Sequence, residues 1–207
     1  MLYIITNPNV SEKVVSELDN AAREGRLEDP IVSDHQVSQL PYLLACIRES
    51  MRMIPPVFNM FQKLVPPEGD NINDKFIPGG TRIGACIFGI LRSKETFGED
   101  ADAFRPERWL IEDGPQLARM YKASDITFGS GRYMCLGKSI ATMELNKTLA
   151  SVIHPQDLLY FQLLISSASQ LLRRYRISGI DSTAPWNMWS ANGIWFQEDM
   201  WVEVRRR

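Results

Sequence analysis

The sequence is poor in the side chains that build metal centres and disulfide frameworks. It has three cysteines (Cys46, Cys86 and Cys135), no Cys-x-x-Cys pair, and two histidines, His35 and His154. Such a sparse, odd-numbered cysteine set argues against a disulfide scaffold and against a structural zinc site. We therefore expect free thiols and a reducing compartment.

Long apolar runs and an excess of one charge are also missing. The longest uncharged stretch, residues 158–172, contains Gln and Ser, whereas a membrane span needs roughly 20 mostly apolar residues. The first residues lack the basic flank and small-residue cleavage site of a signal peptide. With 23 basic against 25 acidic residues, the net charge of −2 argues against nucleic acid as a partner. We expect a globular chain with no membrane span.

The spacing of apolar residues predicts both helices and short strands. Helical periodicity covers residues 9–24, 34–53 (interrupted near Pro41) and 136–150. Clustered prolines and glycines between short apolar runs predict short strands and turns within 55–98. Further strand-like runs occur at 171–180 and 193–204, and residues 99–127 are expected to be mostly loop.

The most informative stretch is the glycine-punctuated segment 128–141, Phe-Gly-Ser-Gly-Arg-Tyr-Met-Cys-Leu-Gly-Lys-Ser-Ile-Ala. Cys135 precedes a predicted helix, where unpaired N–H groups and the helix dipole favour an ionised thiol. Gly129 and Gly131 permit backbone angles closed to other residues, and Gly137 allows a flat ligand to approach closely.

Three other interpretations of this segment stay open on the residues alone. A phosphate-binding P-loop needs four residues between its glycines, whereas five separate Gly131 and Gly137. A Cys–His hydrolase needs a histidine near Cys135, and neither His35 nor His154 lies in a suggestive context. A buried structural cysteine at a helix start is the third.

The pattern F-x-x-G-x-x-x-C-x-G resembles the haem-binding signature of the haem-thiolate monooxygenases, the cytochrome P450 superfamily. Two further motifs follow the order of that family: Glu49-x-x-Arg52 on a predicted helix, and Phe104-Arg-Pro-Glu-Arg108-Trp109, which is similar to its P-E-R-F segment. Taken alone, the Glu–Arg pair would be an exposed ion pair of little worth. The resemblance instead implies a buried triad of Glu49, Arg52 and Arg108.

The resemblance also implies the cofactor and the reaction. Cys135 would be the axial thiolate of haem b (iron protoporphyrin IX), with Phe128 shielding its sulfur. The reaction would be monooxygenation of a small organic substrate, with electrons from NADPH through NADPH–cytochrome P450 reductase. The form of the motif resembles filamentous-fungal members, many of which act in secondary metabolism.

The resemblance assigns haem contacts but no catalytic residue beyond the iron ligand. Tyr133 stands where relatives carry a basic residue that contacts a haem propionate; its hydroxyl could still donate one hydrogen bond, and neighbouring Arg132 would compensate for the charge. Lys63 falls near another basic position that contacts a propionate in relatives. The full set of implied cofactor-binding residues is Phe128, Gly129, Gly131, Arg132, Tyr133, Cys135, Gly137 and Lys63.

A basic surface near the haem loop is the expected docking face for the reductase, with ordinary solvated charge as the alternative. Its residues are Arg119, Lys122, Arg132 and Lys138. The family implies the cytosolic face of the endoplasmic reticulum membrane, and a cytosolic location if this chain is expressed alone.

The expected fold class is mainly α with small antiparallel β-sheets. Residues 1–207 are interpreted as the C-terminal, haem-proximal part of a P450 domain, with the oxygen-activating helix upstream and no activity expected from the isolated chain. The alternative is a non-catalytic haem-binding or vestigial fragment. Residues 151–169 resemble no family segment and suggest an insertion or retained intron, or else a surface helix. Cys46 and Cys86 are expected to be packing residues.

Overall fold

A computed structural model describes residues 2–27, 32–58, 62–151, 175–179, 187–191, 194–198 and 201–206. Within these residues the helices are α1 (Leu2–Ile5), α2 (Pro8–Arg23), α3 (Asp34–Val37), α4 (Pro41–Met53), α5 (Ile87–Leu91), α6 (Lys94–Phe97), α7 (Gly114–Ser124) and α8 (Lys138–Ser151). Short 3-10 helices occur at Pro106–Leu110, Asp125–Phe128 and Gly131–Tyr133.

Four two-stranded antiparallel sheets accompany the helices. Their strands are β1 (Lys63–Leu64), β2 (Asp70–Ile72), β3 (Lys75–Ile77), β4 (Arg82–Ile83), β5 (Tyr175–Gly179), β6 (Asn187–Ala191), β7 (Ile194–Glu198) and β8 (Val202–Arg206). The pairs are β1–β4, β2–β3, β5–β8 and β6–β7. The expected class, mainly helical with small antiparallel sheets, is confirmed.

The first core forms where α1, α2 and α4 pack together. Helix α2 begins with Pro8 in its first turn and buries Val10, Val14, Leu18 and Ala21, which recur at helical spacing. The core is completed by buried aliphatic residues, among them Ile4, Leu40, Leu43 and Ile47. The predicted helix at 9–24 therefore begins one residue earlier, with Asn7 as its N-cap.

A carboxylate of α2 caps the N-terminus of α4. Leu40, the N-cap residue of α4, has no polar side-chain atom and therefore cannot satisfy the first free N–H groups of the helix. The two oxygens of Glu17 accept the N–H groups of Tyr42 and Leu43, each at 2.8 Å. Burial raises the pKa of Glu17, although the two N–H donors act in the opposite direction. Glu17 thus fixes the orientation of α4 on α2.

Replacing Glu17 with Ala should destabilise the fold by about 1–2 kcal/mol, the usual cost of losing a helix cap. Urea unfolding monitored by circular dichroism measures the difference. Glu12→Ala, an exposed glutamate on the same helix, is the control and should change little. Equal losses in the two variants would contradict the capping role.

A second core forms around Trp109. Phe97, Ala101 and Met120 pack with it and with Ala45 of α4. The Phe97 and Trp109 rings meet edge-on with centroids 6.1 Å apart. This core joins α4 to the long connection between α5 and α7.

Two segments differ from the sequence-based expectation. Residues 114–124, expected as loop, form α7, because the Asp113 side chain accepts the Gln116 N–H at 2.9 Å and Pro115 suits the first turn. Within 55–98, expected as short strands and turns, Ile87–Leu91 is helical instead, with Ile87 and Leu91 buried. A short apolar run does not by itself distinguish the two structures.

The cysteines also separate by burial. Cys46 is buried in the first core, and burial raises the pKa of its thiol to about 12. Cys86 is exposed, so its expected role in packing is wrong; it lies at the N-cap of a short helix, outside both cores.

Among the described helices, none combines the length and apolar composition that a bilayer span requires. Of the suspected insertion at 151–169, Ser151 is the last residue of α8 and the rest lies outside the described residues.

Candidate functional site

Glu49 and Arg52 form a buried ion pair on α4. The Arg52 Nε and Nη2 atoms donate to the two carboxylate oxygens of Glu49 at 2.9 and 2.8 Å, in a bidentate arrangement. Both side chains are 0% exposed. The alternative of an exposed surface pair does not apply to these residues.

Three further donors reach the same carboxylate. Arg108 donates from Nε at 2.9 Å, the backbone N–H of Arg105 at 3.0 Å, and the Trp109 indole N–H at 2.9 Å. Arg108 is 1% exposed. The structure therefore brings Glu49, Arg52 and Arg108 together, and adds Trp109 to them.

The two guanidinium groups also hold the backbone of the connection after α5. Arg52 donates to the carbonyls of Leu91, Ala101 and Ala103 at 2.6–3.1 Å. This fixes the path of residues 91–103 against α4.

Arg108 secures the same connection from the other side. It donates to the carbonyls of Phe97, Asp100 and Ala103 at 2.6–3.2 Å. The Asp100 carboxylate lies 3.3 Å from Arg108 and offsets the second positive charge. A lysine has one nitrogen and could not make this set of directed bonds.

The chemical environment keeps Glu49 ionised. Burial by itself would raise the pKa of Glu49, but the hydrogen bond and charge of Arg52, the Arg105 N–H and the Arg108 charge outweigh it. The net pKa is lowered.

Replacing Glu49 with Gln should cost about 3–5 kcal/mol, because buried Arg52 then loses its counter-charge and Arg108 keeps only Asp100. Thermal and urea unfolding measure the loss. Glu99→Gln, which removes the exposed partner of Lys94, is the control and should change stability by less than about 1 kcal/mol.

The difference between wild type and Glu49→Gln should depend on pH in a defined direction. The pKa of Glu49 is lower in the folded chain than in the unfolded chain, so its contribution is complete at neutral pH. It is lost as the pH falls below about 4, through the folded pKa. A difference that stayed constant down to pH 3 would contradict the ion-pair account.

The glycine loop presents Cys135 at the surface. Gly129 (φ 77°) and Gly131 (φ 60°) both have positive φ, which favours glycine. The N–H of Cys135 donates to the carbonyl of Phe128 at 2.7 Å and closes the loop. Its carbonyl accepts the N–H of Lys138 at 3.3 Å, at the first residue of α8. The thiol is exposed and free.

Exposed apolar side chains neighbour Cys135 in the sequence. Leu136 is 101% exposed, and Met134 and Ile140 are also exposed. A side chain at Gly137 would begin 3.8 Å from the Cys135 sulfur, whereas a Cβ at Gly131 would meet nothing within 4 Å. The loop thus carries exposed apolar side chains on both sides of the exposed Cys135 in the sequence.

The remaining predicted contacts occupy different positions. Phe128 ends a 3-10 helix, and Arg132 is exposed on the next one. Tyr133 lies beside Arg132, but its side chain is outside the described part of the chain. Lys63 lies on β1 and pairs in register with Ile83.

An acidic residue that the sequence did not suggest lies next to the loop. Asp125 binds Lys138 of α8 at 2.7 Å through one oxygen and Arg48 of α4 at 3.3 Å through the other. Its sequence context, between α7 and Phe128, carries no motif, so its role emerges only from the packing of α4 against α8.

Comparison with known proteins agrees with the motifs. The family model described as Cytochrome P450 matches residues 1–173. The chain is 37% identical over its whole length to the cytochrome P450 monooxygenase ABA1 of Pyricularia oryzae, covering 36% of that protein. It is 43% identical over 152 residues to the monooxygenase AFLA_114810 of Aspergillus flavus, covering 73% of this chain and 29% of that protein.

A third relative, the monooxygenase esdpH of Penicillium shearii, is 36% identical over 194 residues, covering 93% of this chain and 34% of the relative. The fold and the motifs are those of a haem-dependent monooxygenase family. The chain belongs to the cytochrome P450 family, and these similar members of it are fungal. It spans about a third of the length of these curated relatives.

Proposed function

We propose that this chain forms the haem-proximal, cofactor-binding part of a cytochrome P450 monooxygenase, with Cys135 as the axial thiolate of haem b. The observation that carries the proposal is the exposed thiol on a glycine loop closed by the 2.7 Å hydrogen bond from Cys135 to Phe128. Membership of the P450 family implies haem as the cofactor.

The residues around Cys135 fit a flat, largely apolar macrocycle. The exposed side chains of Met134, Leu136 and Ile140 would lose contact with water when covered by it, which favours binding. Among the described residues no group of three His, Cys, Asp or Glu side chains could hold a metal ion together. Haem would bring the ring nitrogens as further ligands of its iron, so a single protein thiolate would be enough to hold it.

Each of the predicted haem contacts has a distinct part in this proposal. Cys135 supplies the thiolate, Phe128 packs beside it, and Gly131 and Gly137 leave space for the ring. Arg132, Tyr133 and Lys63 are proposed contacts for its propionates. When bound, haem supplies the oxidation chemistry that inserts one oxygen atom of O₂ into a small organic substrate.

The electrons are proposed to come from NADPH–cytochrome P450 reductase at the endoplasmic reticulum membrane. The candidate docking residues are Arg119, Lys122, Arg132 and Lys138. Two of them also bond within the chain: Lys138 to Asp125, and Arg119 to the Gln116 side chain. Asp125 therefore offsets the charge of Lys138, whereas the neutral Gln116 leaves the charge of Arg119 unchanged. Salt dependence of reductase binding would test these docking residues.

The alternative of a cysteine hydrolase has less support. The ring of His35 is 3.2 Å from the Gln39 side chain on the same stretch of chain, which provides it with a partner of its own. His154 lies outside the described residues.

Replacing Cys135 with Ser should abolish the red-shifted Soret band that a haem-thiolate gives when reduced under carbon monoxide. The chain would be expressed with a haem precursor, and the spectrum recorded for wild type and variant. Cys86→Ser is the matched control, because Cys86 is also an exposed free thiol, and its band should persist.

Two results would contradict the proposal. The band could survive in Cys135→Ser, which would assign the iron ligand elsewhere. The wild-type chain could also take up no haem at all, which would favour a vestigial chain over a haem-binding one.

A further inference from the structure

We propose that Asp125 is a positioning residue for Cys135, linking the start of α8 to α4 and thereby to the buried triad. This inference rests on the proposed function, in which Cys135 is the residue that binds iron. Its evidence is a continuous set of contacts from Glu49 to the cysteine loop.

The first part of the link runs from the triad to Arg48. Trp109 donates its indole N–H to Glu49, and the Arg48 guanidinium lies 5.6 Å from the Trp109 ring centroid. Arg48 also lies 4.4 Å from the Tyr121 ring centroid and donates to the Ser124 hydroxyl at 3.1 Å. Arg48 is thus held by aromatic faces and by the end of α7.

The second part runs from Arg48 to the cysteine loop. The two oxygens of Asp125 bind Arg48 and Lys138, as described above. The Lys138 ammonium also lies 5.7 Å from the Phe128 ring centroid, and the Lys138 N–H donates to the Cys135 carbonyl. Asp125 therefore contacts one boundary of the segment 128–138 directly, at Lys138, and Lys138 in turn lies over the ring of Phe128 at the other boundary.

A cavity makes this polar link important. A cavity of about 110 Å³ lies between α4 and the start of α8, with Arg48, Asp125, Phe128 and Lys138 among its lining residues. The two ion bridges of Asp125 therefore connect α4 and α8 beside this cavity. The Arg48, Asp125 and Lys138 side chains are 31%, 44% and 31% exposed. A single exposed ion pair contributes little to stability. Asp125, however, is shared by two cations whose side chains have further contacts, and such a network contributes more.

Asp125 also balances the charge of Lys138, whose backbone N–H binds the Cys135 carbonyl. Without it, the ammonium of Lys138 and the guanidinium of Arg48 would both be uncompensated near the loop. A negative charge at this place opposes the addition of an electron to the bound iron, and a positive charge favours it. Asp125 and Lys138 should therefore influence the haem reduction potential in opposite directions.

The test compares Asp125→Asn, Lys138→Met and the double variant with wild type. Hydrogen exchange of the full chain, followed by mass spectrometry, should show about fivefold faster exchange in the peptide containing residues 128–137 for each single variant. The double variant should exchange little faster than either one, because both remove the same link. Two control variants each remove an exposed charge: Glu112→Gln just before α7, and Lys122→Met on α7. Both should leave the exchange rate of this peptide unchanged.

The reduction potential of the haem-loaded chain distinguishes positioning beside the iron from a general structural role. It should rise in Asp125→Asn and fall in Lys138→Met, whereas a general loosening would shift both in one direction. Unchanged exchange of the 128–137 peptide, or potentials that shift together, would overturn the proposal. If wild type binds no haem, the proposed function fails, and the exchange measurement alone decides whether Asp125 holds the loop.

Discussion

The structure depends first on one buried carboxylate. Glu49 accepts bonds from Arg52, Arg108, Trp109 and the Arg105 backbone, and the two guanidinium groups in turn bind carbonyl oxygens along residues 91–103. A buried charge is costly unless its partners are complete, so the connection after α5 must adopt the one path that supplies them. The carboxylate therefore specifies a conformation for a segment with little regular secondary structure.

The same interaction supports the candidate site at a distance. Trp109 belongs both to the second core and to the carboxylate's donors, and it lies against Arg48. From Arg48 the contacts continue to Asp125 and to the first residue of α8. The cysteine loop is consequently held between a rigid interior and a helix start, and its thiol remains exposed at the surface.

Much of this could be predicted from the sequence because some patterns have a single physical solution. Helical spacing located α2 and α4, and Gly129 and Gly131 indicated the positive φ values of the loop. A hydrogen bond from the Trp109 indole could also have been predicted, since a buried N–H needs an acceptor. Asp125 and the Glu17 cap could not, because neither forms a motif and each acts on residues distant in sequence. The haem contacts of Lys63, Arg132 and Tyr133 stay predictions, as does the nature of residues 151–169.

The central claim is that this framework presents Cys135 as the ligand of an iron atom. X-ray absorption at the iron edge of the haem-loaded chain tests it most directly, because the first coordination shell distinguishes sulfur from nitrogen and oxygen. The account predicts one sulfur neighbour in wild type and in Cys86→Ser, and none in Cys135→Ser. A shell of nitrogen and oxygen alone in the wild-type chain would contradict it.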